Sequence, residues 1–148
     1  MHLPHLSAEG IILGGEAATW RDAVRLAGAA LTASGSTKPG YAAEMIRMIE
    51  EHGPYVVIAP GLALAHARPG PEVIADGLAV VTLATPVPFG HPHNDPVSVV
   101  LGLAISSIDR HLESIAELAN VFNDRGAIAA IAEATDPGVV LEIMGMQA

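Results

Sequence analysis

The sequence predicts an α/β fold, with one mixed β-sheet of about five strands and helices on both of its faces. Two continuous, β-branched apolar runs, Gly77–Thr85 and Val97–Ile105, point to strands buried on both sides at the sheet centre. Shorter strand-like runs alternate with amphipathic helical patterns, and Gly and Pro fall between them as punctuation.

Gly10–Leu13 reads as a short first strand. Thr19 is placed to cap a helix in which Trp20, Ala23, Val24, Ala27 and Leu31 recur at helical spacing until Ser34-Gly35. A second helix runs from about Pro39 to His52, with Tyr41, Met45, Met48 and Ile49 as its apolar stripe; Gly53-Pro54 stops it. Tyr55–Ala59 and Leu62–His66 are short strands joined by the turn Pro60-Gly61. Between the two long strands, Pro86–Pro96 is a loop rich in Pro, Gly, His and Asn. Asp109 is placed to cap a helix from Arg110 to about Asn123, and two shorter helices follow at Ala127–Glu133 and Pro137–Met144. The chain reads as one domain, 1–148, with 1–8 as a mobile tail that carries His2 and His5.

Composition narrows the function. The 148 residues are 51% hydrophobic with 3% aromatic, and mean hydropathy is +0.43, which suits a packed core rather than disorder. The net charge is −9. Nucleic-acid binding needs a basic face and is disfavoured, whereas an acidic surface suits a basic protein partner. With no Cys, disulfides, thiolate catalysis and Cys-ligated zinc are excluded. The apolar runs are too short to span a membrane, and the first residues lack a basic segment followed by an apolar one, so a cytoplasmic location is expected. No dinucleotide fingerprint, His-Glu-x-x-His or Gly-x-Ser-x-Gly occurs, and Gly35-Ser-Thr-Lys-Pro-Gly has its Lys misplaced for a phosphate cradle.

Seven histidines stand out in so short a chain. His66 ends a strand where it opens into a loop, a common place for chemistry in α/β folds. Its readings are nucleophile, general base, metal ligand, or a polar strand terminus bonded to a backbone carbonyl. His111 shares a helical stripe with Ile115, Leu118 and Phe122, so it points toward the sheet at a helix start. It reads as a neutral donor to an anion there, or as a core His satisfied by a carbonyl. His91-x-His93 with Asp95 nearby offers a His-rich metal-binding module as an alternative. His52 complements the dipole at a helix C-terminus. Arg47 and Arg68 each read as a solvated surface charge or as a phosphate ligand, since a guanidinium meets phosphate oxygens in a bidentate fork.

The stretch Glu51–Pro69, with Gly61-Leu-Ala-Leu-Ala-His66 at its end, resembles the active-site strand of enzyme IIA domains of the sugar phosphotransferase system. The likeness is to the mannitol/fructose type, and most to its ascorbate-specific branch. Trp20-x-x-Ala23, Gly40-Tyr41-x-x-x-Met45, Phe89-Gly90-x-Pro92-x-Asn94-Asp95-Pro96-Val97 and His111-Leu112-x-x-Ile115-x-x-Leu118 extend it over about residues 8 to 145. The resemblance implies that His66 accepts a phosphoryl group from the phosphocarrier HPr and passes it to a cysteine of enzyme IIB. It places His111 as the second active-site His and a helix Arg, Arg47 ahead of Arg68, as the phosphate holder. It implies no cofactor, metal or membrane insertion, only indirect membrane association through the partner transporter, and leaves homodimerisation open. A regulatory, nitrogen-type IIA using the same His66 is the alternative within the family. Ala65 departs from the family's usual Pro before the nucleophile.

Overall fold

The computed structural model describes residues 3–146, apart from the side chain of Arg125. Five strands form one sheet: β1 (Ile11–Gly15), β2 (Val57–Ala59), β3 (Leu62–His66), β4 (Gly77–Val87) and β5 (Val97–Ala104). Their order is β1-β4-β5-β3-β2. The β1–β4 and β3–β5 pairs are parallel, and β4–β5 and β2–β3 are antiparallel. The two long apolar runs are thus interior neighbours, as their lack of a polar face requires.

Helices α1 (Trp20–Ala33) and α2 (Tyr41–His52) cover one face. The other carries α3 (Ile108–Val121), α4 (Arg125–Glu133) and α5 (Pro137–Ile143). Strand alternation assigns side chains to these faces. In β3, Ala63 and Ala65 pack with α1 and α2, while Leu62 and Leu64 pack with Leu118, Phe122 and Ile131 of the opposite layer. The small residues on the first face let α1 lie close to the sheet. At Gly28 of α1, a Cβ would sit 2.5 Å from that of Ala42, so α1 and α2 cross at a point only glycine permits. Gly53, at φ +81°, closes α2 as its sequence position predicts.

Several expectations shift. Thr19 caps α1 as expected, its side chain accepting from the Asp22 amide. The α3 cap is Ser107, whose hydroxyl accepts from the Arg110 amide, and Asp109 lies inside the first turn. Both residue types cap well, so two candidates two residues apart are not separable by type. Strand β4 continues to Val87, and the first strand runs over Ile11–Gly15. Within the segment expected as a tail, Leu6 is 1% exposed and belongs to the second core with Leu78 and Leu103, whereas His5 is exposed. His2 lies outside the described residues.

Candidate active site

Because β3 and β5 are parallel, their C-terminal ends open on the same side of the sheet. His66 is the last residue of β3, paired in register with Leu103. Alternation from Leu62 and Leu64 turns its ring toward α3. His111, in the first turn of α3, meets it there: the ring centroids are 5.1 Å apart. Tyr55 closes the other side, edge-on at 5.5 Å. Met48, Tyr55, His66, Arg68, Pro69, Ile108 and His111 line one cavity of about 440 Å³.

A single hydrogen bond orients the His66 ring. Its Nδ1 lies 2.8 Å from the Leu64 carbonyl oxygen. A carbonyl only accepts, so Nδ1 carries the proton and Nε2 keeps a free lone pair. The bond to a carbonyl expected for a strand-terminal His is therefore present, and it is the bond that leaves the lone pair on the other nitrogen. His111 differs from the core His alternative: its Nδ1 is buried with no hydrogen-bond partner. Nε2 is then the nitrogen able to serve the cavity.

Both rings are held neutral. Burial pushes His66 below its ordinary value of 6.5, against a smaller opposing pull from the Leu64 carbonyl. Burial also lowers His111, and the neighbouring His66 lowers it further. The unfolded chain takes up these protons near pH 6.5, and the folded chain only below it. Stability is therefore full above about pH 6.5 and falls as pH drops from there through the lower folded values. We expect the melting temperature of the wild type to fall more between about pH 7.5 and pH 5 than that of a His66→Ala/His111→Ala double variant. Equal slopes in thermal denaturation would contradict the burial of these rings.

The two arginines separate. Arg47 lies outside the His66 cavity. Its guanidinium donates to Glu44 at 2.8 Å and Glu51 at 2.9 Å on its own helix, and these carboxylates hold its proton more firmly still. It lines an adjoining cavity of about 390 Å³ with both of them. Arg68 lines both cavities and makes no ion pair among the described residues. Its charge reaches Tyr55, where it opposes the rise that burial gives that phenol. Of the two candidates, Arg68 lines the His66 cavity and Arg47 lines only the adjoining one.

The residues of the metal alternative lie in the loop between β4 and β5. His91 Nδ1 accepts from the amides of His93 and Asn94. The Asp95 carboxylate accepts from Phe89, Gly90 and His91. These side chains build the loop, and among the described residues no group of three or more His, Cys, Asp or Glu could hold a metal ion. Tyr55 and Met48 line the cavity beside His66, and the sequence pattern marks them only as strand and helix-stripe residues. The scarcity of aromatic residues, with two Tyr in the chain, was the available signal for Tyr55.

The sequence profile of the family described as "Phosphoenolpyruvate-dependent sugar phosphotransferase system, EIIA 2" matches residues 4–145. The chain belongs to this family. It is an enzyme IIA component, a phosphotransferase that mediates phosphoryl transfer. The "Ascorbate-specific PTS system EIIA component" of Shigella boydii serotype 4 (strain Sb227) is 40% identical over 117 residues, 78% of this chain and 76% of the relative. The crystal structure of mannitol IIA from Escherichia coli superimposes with a TM-score of 0.84 at 30% identity, covering 95% of this chain and 99% of that one. The E. coli complex of mannitol enzyme IIA with phosphorylated enzyme IIB gives a TM-score of 0.84 at 29% identity, covering 97% and 99%. The mixed sheet of this IIA component, with helices on both faces, is that of its mannitol-type neighbours. Among its described residues no helix is long and apolar enough to cross a membrane.

Proposed function

We propose that His66 Nε2 takes a phosphoryl group from phospho-HPr and passes it to a cysteine of an enzyme IIB, in a cytoplasmic relay serving uptake of ascorbate or a related acid sugar. The observation that carries this is the His66–His111 pair at the mouth of β3, with His66 Nδ1 committed to Leu64 and Nε2 free. In the first step the Nε2 lone pair forms a bond to phosphorus as the bond to the donor nitrogen of HPr breaks. In the second, the IIB thiolate attacks phosphorus and neutral imidazole leaves. Such transfer asks the protein mainly for positioning and charge stabilisation. His111 Nε2–H and the Arg68 guanidinium supply donors to the three phosphoryl oxygens, and the start of α3 adds a favourable dipole. Ile108, 70% exposed, and Leu112, 64% exposed, form an apolar rim beside the pair, suited to transient docking. The ascorbate-specific relatives support this choice of sugar.

The test is a relay assay with phosphoenolpyruvate, enzyme I, HPr and an ascorbate-type IIB. Label should pass through this chain to IIB. A chain that is never labelled, or that holds its label in the presence of IIB, refutes the reading. The same assay separates the arginines. Lysine keeps the charge but loses the fork, so Arg68→Lys should slow transfer about tenfold or more, a hydrogen bond to a charged group being worth roughly 1.5–3 kcal/mol. Arg47→Lys should transfer like the parent. The reverse result would return the phosphate to Arg47.

A further inference from the structure

Ala67 lies between the nucleophile and the phosphate-binding arginine, and its peptide is held from across the sheet. Tyr41, the first residue of α2, is 1% exposed. Its hydroxyl accepts a hydrogen bond from the Ala67 amide at 3.0 Å and donates to the Leu103 carbonyl at 2.7 Å. Leu103 is the register partner of His66. One oxygen thus bridges β5 and the residue that follows β3, at the point where the two strands part. Burial pushes the Tyr41 phenol up to about 12, so the proton that reaches Leu103 stays in place over the whole working range of pH.

We propose that Tyr41 is a positioning residue for phosphoryl transfer: its hydroxyl fixes the Ala67 peptide, and through it the relative placement of the His66 ring and the Arg68 arm. This rests on the assignment of His66 and Arg68 given above. The ring of Tyr41 belongs to the core, packed with α1 and the sheet, whereas the hydroxyl acts on the site. Tyr41→Phe keeps the first and removes the second. It also leaves the Ala67 amide free to turn toward a bound phosphoryl group or toward solvent.

The experiment compares wild type, Tyr41→Phe and Thr82→Val in single-turnover transfer from phospho-HPr, each with a melting curve. Thr82 is 2% exposed and bonds the Gly14 amide at the far side of the sheet, so its variant reports the effect of losing a buried hydrogen bond elsewhere. The expected result for Tyr41→Phe is a fall on the order of 10- to 100-fold in the rate at saturating HPr, since small misplacements of reacting groups cost that much. The HPr concentration at half-saturation should stay unchanged, and Thr82→Val should transfer like wild type. Tyr41→Phe at the wild-type rate overturns the inference, as does a fall that Thr82→Val shares in proportion to its lost stability. Hydrogen exchange at the wild-type Ala67 amide decides the matter if Tyr41→Phe does not fold: protection is expected, and exchange at the rate of an open loop overturns it. Wild type that takes no label at His66 refutes the transfer reading itself, a result distinct from labelled wild type with an unaffected Tyr41→Phe.

Discussion

His66→Ala takes up no acid-labile phosphate from phospho-HPr, while wild type takes up one per chain. The expectation follows from the tautomer. Only one nitrogen of the pair combines a free lone pair, a place in the cavity and a ring held from behind, and that is His66 Nε2. His111 is not a substitute, because its buried Nδ1 has no partner and its Nε2 must keep the proton to act as a donor. Folding should survive the change. The imidazole is partly exposed, and its one bond is to a carbonyl two residues away, so its loss leaves only that acceptor to be met by water. Phosphate counting by acid lability and peptide mapping is the measurement. Full labelling of folded His66→Ala would remove His66 as the nucleophile.

His111→Ala is expected to fold, to accept phosphate at His66, and to pass it on to IIB roughly 10²–10³-fold more slowly. Removing one preorganised donor to transition-state charge costs about 2.7–4 kcal/mol. A structural His would behave otherwise, since deleting a hydrogen-bonded core imidazole strands its partner and lowers stability. Here Nδ1 has no partner to strand, so the melting temperature should stay close to that of wild type. His111→Gln, which can still offer an N–H, should recover part of the rate. Normal transfer by a folded His111→Ala would assign His111 a structural role alone.

Much of this site was readable from local chemistry. Leu62-Ala-Leu-Ala-His66 ends in a polar residue with the parity of the leucines, so the ring had to share their face. His111 lay on the stripe of Ile115 and Leu118, and that stripe had to face the sheet. The two rings were therefore bound for the same layer once a single sheet was accepted. The ion-pair partners of Arg47 were legible too, although the resemblance set it ahead of Arg68 as phosphate holder. Glu44 and Glu51 stand three residues before and four after it, the spacing at which helix side chains pair.

Other features depend on contacts between residues far apart in the chain. Whether Ser107 or Asp109 caps α3 depends on where the chain leaves β5, not on residue type. His91 and Asp95 looked like metal ligands because the residue types are the same, yet the loop around them turns both toward backbone amides. The bridge from Tyr41 to Ala67 and Leu103 spans 26 and 62 residues, and the stripe that contains Tyr41 predicts only that its ring is buried. Period and residue type determine which side of an element a group occupies. The partner it meets across the core depends on strand order and on the separation of the layers, and these arise from packing the whole chain at once.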